Sequence, residues 1–326
     1  MRFDYSVVIR TLGNTGEKYL QMLQAINNQT VKPREIIVVI PQGYSLDHSL
    51  GNERIVYSNK GMVTQRAVGI DEAHGDYLLV LDDDLDFPND FAEQLYLHLV
   101  KNGLDCVLTF GDWGEDTISP VEVSWKQRVS GFEKKVRSAF TGQAFYSKRK
   151  SDYFDIITTT AGHRTYINNE DKLCQTGAFA CFFIKTEKAK FVHFEDETWL
   201  ERGSISTYAA YDDAVFFYKL FLQHGRIAYT RNTGFRHLDA AAGRPAKDKI
   251  TAKRIRLYTI AKNRTFFWYR HIWNNKKTVW TLLGGLYALN NYTLYNLVVN
   301  ALPMNWPAIS AMFMGYRDAF RFIRQK

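Results

Sequence analysis

Three consecutive carboxylates, Asp82, Asp83 and Asp84, follow an apolar run in the segment YLLVLDDDLD. Adjacent like charges repel unless a counterion or a set of donors sits among them. Hard carboxylate oxygens suit Mg²⁺ or Mn²⁺, ions that also take phosphate oxygens. The apolar run, bounded by Gly75, reads as a strand buried on both faces, the type found in parallel sheets. In open α/β sheets ligands bind beyond the carboxyl ends of the strands, so the acids are expected where a substrate lies. An isolated Asp triplet is more often a solvated acidic turn, so its meaning rests on its neighbours.

A second acidic pair, Asp212 and Asp213, opens the segment YDDAVFFYKLFLQHGRIAY. The spacing predicts a helix with Val215, Phe216, Leu220 and Phe221 inward, ended by Gly225. The helix dipole alone favours acids in a first turn. The preceding loop, through Trp199 and Gly203, adds an aromatic neighbour that suggests a role beyond capping. His237 lies in GFRHLDAAAG, a polar, small-residue loop after a strand at Arg226 to Thr230, where it is expected to be reachable.

The elements that must position these groups alternate regularly. Strands are expected at Tyr5 to Arg10, Glu35 to Ile40, Arg54 to Ser58, Tyr77 onward, Asp105 to Phe110 and Gly177 to Ile184. Helices are expected at Glu17 to Asn28, Val63 to Ala73 and from Pro88 to Lys101. Such alternation means βαβ units and an α/β fold with a mainly parallel sheet. The turn after the first strand, RTLGNTGEKYL, has neither GxGxxG nor GxxxxGK[ST], so phosphate is not expected to rest in a glycine cradle there. Residues 112–172 carry many Lys, Arg and aromatic side chains with weak periodicity, and read as a solvated, partly helical insertion or as a lip for an anionic acceptor.

The chain has 326 residues, 46% of them apolar, enough for one large domain with an appendage. Its net charge of +8 is uneven: residues 250–326 hold twelve Lys or Arg and one acid, so the remainder carries 8 − 11 = −3. A basic tail beside an acidic catalytic region argues against a nucleic-acid enzyme. Three cysteines without CxxC spacing fit reduced thiols, and the N-terminus shows no apolar stretch of signal-peptide type. Residues 251–273 are expected to form a basic, aromatic helix or helix pair. The uncharged stretch 278–316 is interrupted by asparagines, Gly284, Gly285, Pro303 and Pro307, so amphipathic helices at an anionic lipid surface fit better than a span.

Together these stretches resemble inverting family 2 glycosyltransferases of the GT-A fold. The likeness runs through YSVVIRTLGNTGEKYL, NKGMVTQRAVGIDEAHGDYLLVLDDD, GAFACFFIK and YDDAVFFYKLFLQHGRI, over about residues 5 to 240. It implies a catalytic domain at 1–245, and the composition beyond it leaves a helical membrane-surface region at 246–326. It also implies Asp213 as general base, Asp82 against the donor ribose, Asp84 as metal ligand and Arg66 beside the donor nucleotide. Arg10, Thr11 and Asp83 complete the implied donor set, with Asp212 and Trp199 toward the acceptor. The double aspartate with His237 beyond it is reminiscent of the galactofuranosyltransferase branch, where a histidine completes the metal site. Where the family commonly places an Asp pair after the second strand, this chain has Ile40, Pro41 and Gln42, and Gln42 offers an amide to a pyrimidine edge. The implied cofactor is Mn²⁺ or Mg²⁺. The implied partners are a UDP- or other NDP-sugar and a glycan or lipid-linked glycan acceptor, at the cytoplasmic face of a bacterial plasma membrane. A sugar-phosphate nucleotidyltransferase would share the sheet but need a glycine-rich phosphate loop, and a non-catalytic sugar-nucleotide binder would not need Asp84 and Asp213.

Overall fold

The computed structural model describes residues 3–109, 152–166, 172–231, 233–238, 248–301 and 304–325. The chain divides into two compact units. One comprises Met1–Glu115, Glu170–Glu201 and Asp212–Arg244, and the other Asp116–Asn169, Arg202–Tyr211 and Pro245–Lys326. The expected boundary at residue 245 is therefore one edge of the second unit, which also takes in two earlier segments.

The first unit begins with β1 (Tyr5–Arg10), α1 (Glu17–Asn27), β2 (Glu35–Pro41), β3 (Glu53–Ser58), α2 (Met62–Asp71) and β4 (Tyr77–Leu81). It continues with β5 (Leu85–Asp86), α3 (Phe91–Lys101) and β6 (Cys106–Thr109). The second unit contributes β7 (Phe154–Thr158) and β8 (Arg164–Tyr166). The chain then returns to the first unit with β9 (Leu173–Cys174), β10 (Cys181–Lys185), α4 (Thr186–Phe191), a 3₁₀ segment at Phe194–Glu201, α5 (Asp212–Leu222), β11 (Ile227–Thr230) and β12 (Arg236–His237). Three helices of the second unit follow: α6 (Lys249–Phe267), running on as a π-helical turn to Trp273, α7 (Val279–Ala301) and α8 (Trp306–Arg324).

Within the first unit the strand order is β3-β2-β1-β4-β10-β6-β11-β9. The four strands from β3 to β4 are parallel, as the βαβ pattern requires. The segment GAFACFFIK departs from the expected start: its strand begins at Cys181, and it runs antiparallel between β4 and β6. A long excursion of chain separates it from β6, so no single crossover helix fixes its direction. Side chains of β1, β2 and β4 alternate between two covered faces. Val7, Ile9, Val38, Ile40, Leu79 and Leu81 share a buried cluster with Leu23 and Ile26 of α1 and with Phe91 and Leu95 of α3. On the opposite face α2 sits against β1 and β2 at Gly69, where a Cβ would lie 2.5 Å from Val8 Cγ1. Strands covered on both faces have no polar side to spend, which is why Tyr77–Leu81 reads as an unbroken apolar run.

Several local expectations are corrected. The third helix starts at Phe91, with its N–H bonded to Pro88 O at 3.1 Å, so Pro88 belongs to the turn before it. The residue that ends α5 in the left-handed region is His224 (φ 63°), while Gly225 gives room to the Leu220 side chain. Residues 154–166 form an antiparallel hairpin, buried from Asp155 to Thr159, where a solvated, partly helical insertion was expected. The isoleucines at 156 and 157 explain the burial. The basic run from Lys126 to Lys150 lies outside the described residues.

Gly75 admits no side chain: a Cβ there would lie 2.6 Å from both Ser6 N and Tyr5 C, backbone atoms that cannot swing aside. Gly75→Ala must push β4 away from β1, at about 1–3 kcal/mol as for other overpacked sites. A urea unfolding midpoint equal to the wild-type value would contradict this fit.

Candidate active site

The site grows from the carboxyl ends of β1 and β4. Beyond β1, Thr11 Oγ1 donates to Asp83 Oδ2 at 2.5 Å and accepts from Gly13 N at 2.9 Å, and Thr15 Oγ1 donates to the same Asp83 oxygen at 2.6 Å. Gly13 holds φ 82°, and a Cβ there would lie 2.0 Å from Ser45 O, so glycine is required for the turn. The loop that lacks a phosphate cradle is thus built to give hydroxyl donors to one carboxylate.

Asp82 is held differently. Arg10 Nη2 donates to its Oδ1 at 3.0 Å, and Arg66 Nη2 donates to the same oxygen at 2.9 Å. Arg66 Nη1 donates to Asp212 Oδ2, so one guanidinium joins the end of β4 to the first turn of α5. Its Cζ also lies 4.1 Å from the Phe179 ring centroid, a cation–π contact. Arg66 is 2% exposed, and a planar fork between two carboxylates is a role that lysine cannot reproduce. Two residues place the helix that carries it. Glu201 accepts at the N-terminus of α2 from Val63 N, from Thr64 N at 3.1 Å and from Thr64 Oγ1 at 2.6 Å. Gly61 leaves the space that Glu201 fills, and Gln65 Nε2 donates to Thr11 O and Val39 O, each at 2.9 Å.

The third acid, Asp84, is 6% exposed and lies on the approach to the two-stranded ribbon of β5 and β12. The register sets His237 opposite Leu85, and its Nε2 stands 3.4 Å from Asp84 Oδ1. The ribbon is tied by Leu238 N to Asp84 O at 2.8 Å, by Lys18 Nζ to Leu238 O and by an Arg236–Asp86 ion pair. His237 is therefore half-buried on a strand, where a loop was expected. Among the described residues no group of three or more His, Cys, Asp or Glu could hold a metal ion. The Asp84–His237 pair nonetheless places one oxygen and one nitrogen donor side by side, a donor set compatible with a Mn²⁺-type ion.

The three adjacent aspartates thus answer to three different partners: arginines, threonines and a histidine. Burial pushes the Asp212 carboxyl up to about 6; Arg66 opposes this, Asp213 adds to it and Arg10 opposes it. Asp213, in the same helical turn, is partly exposed, and its Oδ1 accepts from Ala214 N at 2.7 Å. Two expected contacts do not join this cluster. Gln42 is exposed just beyond β2, its backbone N bonded to Ser58 O at 2.9 Å. Trp199 is 7% exposed and donates its indole N–H to Glu197, which pairs with Lys219 at 2.9 Å. Its burial within a 3₁₀ segment makes it part of the supporting wall. Gln65, Phe179, Thr15 and Glu201 were not foreseen. Gln65 and Phe179 flank recognised motif residues, but Glu201 acts across 137 positions and leaves no local signal.

The raised Asp212 carboxyl has a thermodynamic signature. An unperturbed Asp titrates near 3.9, so the folded state holds this proton more firmly than the unfolded state. Its stabilising effect is complete below about pH 4 and lost as pH rises through about 6. Relative to Asp212→Asn, the wild-type unfolding free energy should fall by on the order of 1–3 kcal/mol between pH 4 and 7. Parallel stability curves for the two proteins would remove the titration from Asp212.

Comparison with known proteins follows the same region. No curated protein sequence matches the chain. Among solved structures, residues 1–349 of TarS from S. aureus give a TM-score of 0.44 at 14% identity, covering 99% of this chain and 92% of that one. The same TarS segment in complex with UDP-GlcNAc gives 0.41 at 13% identity, with the same coverage of 99% and 92%. GalNAc-T7, solved with UDP, GalNAc and Mn²⁺, gives 0.49 at 12% identity over 89% of this chain and 55% of that one, so this chain spans about half of its length. The family model described as Glycosyl transferase family 2 matches residues 54–169. That match takes in Arg66, the β4 strand and the three aspartates, so residues 54–169, about a third of the chain, are similar to glycosyl transferase family 2.

Proposed function

We propose that this chain is a family 2 glycosyltransferase that moves a hexose from a nucleoside diphosphate donor to a hydroxyl of a glycan or lipid-linked glycan, inverting the anomeric centre in one displacement. The observation that carries the reading is the Arg66 fork, which ties the β4 acid Asp82 to the Asp212–Asp213 turn. Donor-side and acceptor-side carboxylates are thereby held in fixed relation at the strand ends where ligands bind in α/β sheets.

Both arginine contacts to Asp82 fall on Oδ1, leaving Oδ2 to accept from a ribose hydroxyl. Thr11 and Thr15 keep Asp83 turned toward the β1 loop, which lowers the repulsion that a diphosphate would meet there. Arg66 Nε is buried without a hydrogen-bond partner among the described residues, a donor left for an incoming anion. Asp84 and His237 would hold Mn²⁺ or Mg²⁺, which when bound supplies positive charge for the leaving diphosphate. Gln42, exposed beyond β2, is placed in sequence to meet the base.

Asp213 suits the general base. It is the more exposed of the pair and stands beside Asp212 in the first turn of α5, where its side chain would take a proton from the attacking hydroxyl. Asp212 positions it by anchoring the turn. With Asp213 as base on the acceptor hydroxyl, a single displacement inverts the centre.

A thermal-shift screen of nucleotide sugars with and without Mn²⁺ identifies the donor, since binding to the folded state raises the melting temperature. With that donor, Asp213→Asn should lose about 10² to 10⁴ in turnover while donor affinity changes little. Asp84→Ala should abolish the Mn²⁺-dependent part of donor binding, and His237→Ala should weaken it. Wild-type turnover in Asp213→Asn would leave that residue a helix-capping acid, and unchanged Mn²⁺ titrations in both other variants would sink the metal assignment.

A further inference from the structure

Helix α7 is built inside out. It is 23 residues long and carries no charged side chain. Its buried stripe is small or polar: Thr281, Gly284, Ala288, Asn291, Asn296 and Asn300. Its exposed stripe is apolar, with Trp280 79%, Leu283 50%, Leu286 51%, Leu294 49% and Val298 53% accessible. A helix of a water-soluble surface has the opposite arrangement, because each exposed leucine forfeits about 2 kcal/mol of available burial. Two of the buried amides donate within their own helix, Asn296 Nδ2 to Tyr292 O at 2.8 Å and Asn300 Nδ2 to Asn296 O at 2.7 Å. Gly284 fits against Thr160, where a Cβ would come within 2.8 Å of its Oγ1, so the inward face is fixed by close packing and cannot rotate outward.

We infer that the exposed stripe of α7, with neighbouring apolar side chains of α8, seats in the interface of an anionic lipid bilayer. Charge decides between lipid and a second copy of the chain. The exposed Lys276 and Lys277 immediately precede α7, and Arg321 and Arg324 are exposed at the end of α8. The one acid of residues 250–326, Asp318, is buried and bonded to Tyr258 and Ser204, each at 2.6 Å. A face rimmed by cations, without exposed acids to answer them in a copy of itself, is complementary to lipid phosphate. Trp280, Tyr287 and Trp306 are exposed and of the type that settles at headgroup depth. No helix of the described residues is long and apolar enough to cross a membrane, so the helix lies along the surface with its asparagine side against protein.

Flotation of the full-length chain with phosphatidylcholine vesicles, with and without phosphatidylglycerol, tests this without any sugar donor, so its outcome is independent of the proposed transfer reaction. The wild-type chain should float with the anionic vesicles, and 1 M salt should loosen but not abolish binding, since apolar burial is not screened. Leu283→Glu/Leu286→Glu/Val298→Glu, all at exposed positions, should cut the floated fraction at least about ten-fold with an unchanged melting temperature. Lys276→Gln/Lys277→Gln should lower partition on anionic vesicles by roughly an order of magnitude and leave neutral vesicles unaffected. A wild-type chain that floats with neither vesicle, or variants that both float like wild type, would overturn the inference. So would light scattering that shows a dimer which the triple glutamate variant dissolves while wild type ignores vesicles, because the occupant would then be a second copy.

Discussion

One buried cation, the Arg66 guanidinium, sets the geometry on which the rest of the site depends. Asp82 at the end of β4 and Asp212 at the start of α5 are 130 residues apart in sequence, and each alone would repel the other near the substrate. The fork between them turns that repulsion into a joint, and Phe179 covers the guanidinium with an aromatic face. Such an arrangement gains little net stability, because the desolvation of three charges offsets most of their attraction. What it provides is position: removing the cation would leave the buried Asp212 without its partner at a cost of about 3–5 kcal/mol, so the turn carrying Asp213 cannot drift from Asp82 without strong resistance.

The neighbouring constraints serve the same joint. Arg66 is aimed by α2, whose first turn is capped by Glu201 and whose Gln65 reaches the carbonyls of Thr11 and Val39. Three consecutive aspartates coexist because each is claimed by a different group. Arginines take Asp82, hydroxyls take Asp83, and the β5–β12 ribbon brings His237 to Asp84. The result is a graded site, from a carboxylate paired with two arginines at Asp82 to one beside an imidazole at Asp84.

Much of this was legible in the chain. The unbroken apolar run before the aspartates announced a strand covered on both faces, and the alternating pattern gave the parallel half of the sheet. Asp82, Asp84, Arg66, Asp212 and His237 were singled out by type and order, and they converge. The sequence could not show how they divide the work. Asp212 and Asp213 look alike in a first helical turn, and only the ion pair to Arg66 distinguishes the anchor from the exposed neighbour. The reversed direction of β10 and the burial of Trp199 depend on contacts between distant segments, which periodicity does not encode. The helix α7 was read as an amphipathic surface helix from its asparagines. Its asparagines at 291, 296 and 300 turned out to mark the inward face, where the Asn296 and Asn300 amide groups donate to backbone carbonyls of the same helix, and its leucines lie outside.

One base at Asp213 and no covalent intermediate mean a single displacement at the anomeric carbon. Proton NMR of the reaction mixture, followed from the first turnovers with the donor identified by thermal shift, reports the configuration of the new linkage through its anomeric coupling and chemical shift. A product opposite in configuration to the donor is what one base at Asp213 and a diphosphate leaving group predict. A product that retains the donor's configuration from the earliest time points would require a second nucleophile on the other face and contradict the assignment of Asp213 and Asp212.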